Sequence, residues 1–168
     1  LEDLRKKFAP FMRKLPPELP VTRSAIALQT FDWRVQTEED RGNFPGVLAG
    51  EGAWERVDIP HFGAPLGRAT TYYRTTVGIT AEQLATGAAF LCFKGVDYKA
   101  HAFLNGTYLG SHEGFFAPCE FECTACARVG ENVLVVQVEN DFVGGGNRAW
   151  GDSRAGDKIY AATNLGYD

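Results

Sequence analysis

An all-β chain folded as an antiparallel two-sheet sandwich is what this sequence predicts, and three observations carry that expectation. Short β-prone segments recur along the chain, punctuated by Gly and Pro, with no long helical repeat between them. The run from Phe90 to Leu104 leads into Asn105-Gly106 and then Thr107-Tyr108-Leu109-Gly110, and Asn-Gly between two such runs marks a hairpin, because both residues tolerate the positive φ of a type I′ turn. Finally, Val133-Leu134-Val135-Val136-Gln137-Val138 is almost continuously apolar, as in a strand covered on both faces.

Taken in order, residues 1–23 form an N-terminal helical or extended segment. Leu1, Leu4, Phe8, Phe11, Met12 and Leu15 make an apolar stripe beside Arg5, Lys6, Lys7, Arg13 and Lys14. Pro10 interrupts it and Pro16-Pro17 ends it, so one or two short turns docked on the sandwich are expected. The sandwich core spans 24–140. In Ser24 to Gln36, Ile26, Leu28, Phe31, Trp33 and Val35 alternate with polar neighbours as in a strand pair or one bent strand. Glu38 to Gly52 is polar and glycine-rich, hence a surface loop. Trp54 to Ile59 is a short strand closed by Pro60, and Ala69 to Ile79 a strand rich in Tyr, Thr and Val. Thr80 is the N-cap of a brief helical turn. Phe116 to Cys123 and Asn132 to Asn140 complete the strands, with a turn at Arg128 to Asn132. Residues 141–168 are a long loop leading toward a further domain.

At 168 residues the chain is one domain by length, and at that size folding buries about 70% of the surface. Its 45% hydrophobic and 23% charged residues are ordinary for a globular protein. A net charge of -4 with a pI near 5.4 speaks against a nucleic-acid partner, which calls for clustered basic surface. No run approaches the 18 or so apolar residues of a membrane span, so no membrane partner is expected. The chain starts at Leu1 with neither initiator Met nor a signal-like segment.

Cys92, Cys119, Cys123 and Cys126 lack the second well-spaced pair of a zinc site. In a strand, Cys119, Phe121 and Cys123 point to one face, so small buried hydrophobes are the better reading, and no metal or cofactor is expected. Reduced thiols fit a cytoplasmic location, with periplasmic or secreted locations left open.

The segments Phe93-Lys94-Gly95-Val96-Asp97-Tyr98, Phe103-Leu104-Asn105-Gly106, Leu109-Gly110-Ser111-His112-Glu113-Gly114-Phe115 and Gly130-Glu131-Asn132-Val133-Leu134 resemble, in order and spacing, the N-terminal sugar-binding domain of glycoside hydrolase family 2. That family includes β-galactosidases, β-glucuronidases and β-mannosidases. Trp54 to His61 and Tyr72-Tyr73-Arg74-Thr75 resemble earlier strands of the same domain, so the likeness covers roughly Ala25 to Asn140. It implies a jelly roll of the galactose-binding-domain-like type, with eight or nine strands, from a β-galactosidase or β-glucuronidase parent. It also implies that both catalytic glutamates sit on a downstream (β/α)8 barrel, which alone needs roughly 250 residues. No catalytic residue is therefore expected in this chain.

The tail carries Gly144 to Lys158, a glycine-rich stretch with carboxylates, guanidiniums and one indole but without Walker spacing. An indole offers its face to a sugar ring, while Asp and Arg hydrogen-bond adjacent hydroxyls. Arg148, Trp150, Asp152 and Asp157 are thus the candidate substrate-binding residues, and the resemblance singles out Asp152 and Asp157, since an acidic residue after the last strand touches substrate in the family. The alternative is a linker that orders only against the next domain. Asp97 and His101 read as structural hydrogen-bonding groups, His112-Glu113 as a turn at the sheet edge, and His61 as a loop histidine. The expected partners are carbohydrate and downstream domains of the same polypeptide, in a homo-oligomeric parent. The competing functions are an autonomous carbohydrate-binding module and a purely structural or assembly domain.

Overall fold

The computed structural model describes residues 2–12, 24–62, 69–85, 87–114, 117–140 and 164–165. Among them lie eleven strands and four helices. The largest sheet has six antiparallel strands, β1 (Thr30–Val35), β2 (Glu55–Asp58), β4 (Ala69–Ile79), β7 (Lys99–Leu104), β8 (Thr107–Glu113) and β10 (Gly130–Asn140), in the order β2-β1-β4-β10-β7-β8. Facing it are two smaller antiparallel sheets. One is β3 (His61–Phe62), β11 (Asn164–Leu165) and β6 (Val96–Asp97), in the order β3-β11-β6, and the other pairs β5 (Phe90–Phe93) with β9 (Cys119–Glu122). The layers form the antiparallel β-sandwich that the sequence predicts.

The two long central strands, β4 and β10, pair along their whole length from Gly130↔Ile79 to Asn140↔Ala69. Register then decides which side chains meet. Val136 lies opposite Tyr73 on one side and Ala102 on the other, and Leu134 lies opposite Leu104. These residues share one face with Phe31 and Val138, and against them pack Phe93 and Phe121 from β5 and β9 and Val96 from β6. Phe93 and Phe121 meet edge to face, with centroids 6.0 Å apart. Cys123 belongs to the same buried cluster and Cys119 packs against it, as expected of small hydrophobes, while Cys92 is exposed.

Glu38 to Gly52 is not a loop. Helix α2 (Glu38–Gly42) begins in a capping box, in which Asp40 N donates to Thr37 Oγ1 and Thr37 N donates to Asp40 Oδ2. Helix α3 (Phe44–Ala49) is capped by Asn43 and ends at Gly50 in the left-handed conformation. Together they cover the outer face of the large sheet. Val47 is buried, and the Phe44 ring sits 6.0 Å from Tyr72 and 5.0 Å from Phe103. That cover explains why Val135, which points away from the main core, is also buried.

One residue fastens the helices to the sheet. The Arg34 guanidinium pairs with Asp40 at 2.6 Å and lies 4.6 Å over the Trp54 ring. Room for it depends on Gly52, at φ +89, where an added Cβ would run into Arg34 Nη1.

At the opposite end, the predicted hairpin is present: Asn105 and Gly106 have φ of 52° and 79°, and Leu104 pairs with Thr107. Here the Asn105 and Asn132 amides interlock. Asn105 Nδ2 donates to Asn132 Oδ1 (2.8 Å) and Cys126 O (2.9 Å), and its Oδ1 accepts from Val133 N (2.9 Å). Asn132 Nδ2 donates to Arg128 O and Gly130 O, and its Oδ1 also accepts from Arg128 N. Asn132 is fully buried with its amide satisfied, so Asn132→Ala should cost about 2–3 kcal/mol by orphaning its partners. Urea unfolding measures it, and a loss under about 1 kcal/mol would show that water replaces the network.

Other expectations need correction. Helix α1 (Glu2–Met12) runs eleven residues through Pro10 rather than one or two turns, and Leu4, Phe8 and Phe11 on it are exposed rather than docked. Residues 24–29 form no strand, so the first strand is β1 alone. His112 and Glu113 lie within β8, not in a turn, and Glu113 pairs with Lys99 across the strands at 2.8 Å. Thr80 does cap helix α4 (Ala81–Ala85), accepting from Gln83 N while Gln83 Oε1 accepts from Thr80 N.

Candidate functional site

The core of the sandwich becomes polar where the three-stranded sheet covers it. Trp33 and Tyr73 are opposite each other on β1 and β4, and the His61 ring packs against both, 5.1 Å from the indole and 5.7 Å from the phenol. His61 Nδ1 and the Tyr73 hydroxyl share a 2.8 Å hydrogen bond. Burial lowers the His61 pKa, only partly opposed by the Glu55 carboxylate, so the neutral ring is favoured. Two further polar atoms, Trp33 Nε1 and Thr71 Oγ1, are buried with no hydrogen-bond partner among the described residues. Such groups are costly unless something binds them.

Asp97 lies on the other side of the same small sheet. β11 sits between β3 and β6: Leu165 pairs with His61 and Val96, and Asn164 pairs with Phe62 and Asp97. His61 and Asp97 therefore flank one strand, about two strand spacings or ~10 Å apart along the sheet. Asp97 is buried, and desolvation raises its pKa from 3.8 to about 7.

The chemistry on offer toward the large sheet is a set of fixed donors and acceptors, an indole N–H, a threonine hydroxyl and a neutral imidazole hydrogen-bonded to a phenol, while the register turns the Asp97 carboxyl to the other face of the small sheet. That set suits a ligand rich in hydroxyl groups. Among the described residues no three His, Cys, Asp or Glu cluster as a metal site.

Arg148, Trp150, Asp152 and Asp157 lie outside the described residues. The structure does place the two ends of their segment. β10 delivers the chain at buried Asn140, and β11 brings it back between His61 and Asp97. Of the other candidates, Asp97 is buried on β6 while His101, on β7, lies 3.3 Å from Glu139 and contacts Tyr108. They form no acid–base pair, in keeping with their structural reading. His61 proved more than a loop histidine, and the sequence held no sign of it, because Tyr73 and Trp33 reach it from other strands.

The sequence pattern of the family described as "Glycosyl hydrolase 2 galactose-binding domain-like" matches residues 64–154, more than half of the chain. The chain belongs to that family. A β-galactosidase of Clostridium acetobutylicum is 32% identical over 91 residues, covering 51% of this chain and 10% of the relative. One of Lactococcus lactis is 38% identical over 74 residues, covering 44% and 7%. The chain thus spans about a tenth or less of these relatives' length. Among solved structures, a β-glucuronidase from Ruminococcus gnavus in complex with C6-substituted uronic isofagomine superposes with a TM-score of 0.64 over 75% of this chain and 23% of that one. At 24% identity this likeness speaks to the fold. The glycoside hydrolase family 2 domain expected from the strand motifs is thereby established.

Proposed function

We propose that this galactose-binding-like domain walls one side of the sugar pocket of a family 2 glycosidase, whose barrel breaks the O-glycosidic bond of a β-galactoside or β-glucuronide. The observation that carries the reading is the return of the tail. The segment holding Arg148, Trp150, Asp152 and Asp157 starts at Asn140 and is tied back by β11 beside His61 and Asp97. A glycine-rich segment whose two ends are held on a rigid sandwich is suited to presenting a few polar side chains and an indole to a ligand. The names of the relatives favour galactosides, and that of the structural neighbour favours glucuronides. The partners are carbohydrate and the other domains of the same polypeptide, assembled as a homo-oligomer in the cytoplasm.

The test is kinetic and uses the full-length protein. Asp152→Ala and Asp157→Ala are each made, and kcat/KM is measured with aryl β-galactoside and aryl β-glucuronide. Loss of a charge-assisted contact to substrate should lower kcat/KM for the preferred sugar by about 10–100-fold in at least one variant, with stability unchanged. Unaltered kinetics in both variants would remove the tail from the pocket. The 168-residue chain alone should release no aryl aglycone and show no saturable sugar binding by calorimetry; micromolar binding would favour an autonomous carbohydrate-binding module.

A further inference from the structure

We propose that Asn105 is a latent site of spontaneous deamidation, kept unreactive by the grip of Asn132 and its neighbours. In an Asn-Gly pair the backbone nitrogen of the glycine meets no side-chain obstruction as it approaches the asparagine side-chain carbonyl. The Gly106 nitrogen loses its proton and bonds to Asn105 Cγ, the Cγ–Nδ2 bond breaks, and Nδ2 leaves as ammonia. Water then opens the resulting succinimide at either carbonyl, giving aspartate or isoaspartate. The step needs no oxidant, reductant or cofactor.

Reaction requires the side-chain amide to swing toward Gly106, and the structure opposes that motion. Both Nδ2 protons are engaged, with Cys126 O and Asn132 Oδ1, and Oδ1 accepts from Val133 N. The backbone of the same residue donates to Val133 O, so the turn cannot slide away from β10. Asn132 is itself buried and held, since its amide makes bonds to Arg128 and Gly130 as well. Breaking three ordinary hydrogen bonds together corresponds to about a hundred-fold in population, which sets the expected protection.

The same geometry makes the product damaging. A carboxylate at position 105 would turn acceptor oxygens toward Cys126 O and Asn132 Oδ1, where donors now stand. Isoaspartate would also add a methylene to the backbone between β7 and β8. Both changes loosen the hairpin and the neighbouring turn, so each modified molecule unfolds more readily than its parent.

The chain is incubated in mildly alkaline buffer, and isoaspartate at position 105 is followed by peptide mapping. Conversion in the folded chain should be about a hundred-fold slower than in the urea-unfolded chain. Asn132→Ala should convert faster than Val138→Ala, a core control far from the turn, when urea brings both to the same folded fraction. Equal rates for folded and unfolded wild type, or for the two variants, would overturn the proposal. Should Asn132→Ala fail to fold, the wild-type rate at low urea decides. A plateau supports local gating at the turn, and a rate proportional to the globally unfolded fraction at every concentration overturns it.

Discussion

Arg34→Ala is expected to lower stability by about 3–5 kcal/mol, the loss typical of removing one partner from a buried ion pair. Both side chains of the pair are nearly inaccessible, at 12% for Arg34 and 7% for Asp40. Without the guanidinium, the Asp40 carboxylate keeps only the bond that its Oδ2 accepts from Thr37 N. Trp54 loses the cation above its ring, and the slot that Gly52 leaves open becomes a void. The loss should also be local before it is global: α2 and α3 are only five and six residues long and depend on tertiary anchors rather than on helix propensity. Hydrogen exchange at residues 43–51 should therefore accelerate in Arg34→Ala more than exchange in β4 and β10. Arg34→Lys, which keeps the charge but not the planar fork, should recover part of the stability. A loss below about 1 kcal/mol by urea unfolding would mean the pair is exchanged for water without penalty.

Arg34 also shows where sequence reading stopped. The central strands were legible, because β4 and β10 are rich in β-branched, aromatic and apolar residues, and the Asn105-Gly106 turn was legible because its backbone requirement is local. α2 and α3 were not, although Thr37-Glu38-Glu39-Asp40 and Asn43-Phe44-Pro45 are cap signals that a reader could have used. Polar, glycine-rich composition outweighed them, and what makes the helices persist is contact with Tyr72 and Phe103, distant in sequence, and with Arg34 on the strand before them. The stripe of α1 misled in the other direction: Leu4, Phe8 and Phe11 have helical spacing but are exposed. The candidate site was least legible of all. β3 and β11 are two residues each, too short to leave a pattern, and they bring His61 and Asp97 beside the returning tail.

The pH dependence of stability should carry the signature of Asp97. A carboxyl whose pKa rises from 3.8 in the unfolded chain to about 7 in the folded one holds its proton more tightly when folded. Its contribution is therefore whole below pH 3.8, declines as pH rises, and is gone above about 7. Over that span the loss amounts to roughly 4 kcal/mol at ~1.4 kcal/mol per pH unit. His61 acts in the opposite sense: its lowered pKa favours the neutral ring, so its contribution is present above the unfolded value of 6.5 and lost as pH falls through the folded one. Asp97→Asn should flatten the Asp97 slope, leaving stability near pH 4 unchanged and raising it by roughly 4 kcal/mol at pH 8, as urea midpoints at the two pH values would show. An unchanged slope in the variant would place the titration elsewhere. A residue that weakens the fold at neutral pH yet sits beside the returning tail invites the reading that its charge serves the ligand. Under the proposed function, Asp97→Asn in the full-length protein should therefore be more stable and less active at pH 8. A variant that gained stability with kcat/KM intact would confine Asp97 to the fold.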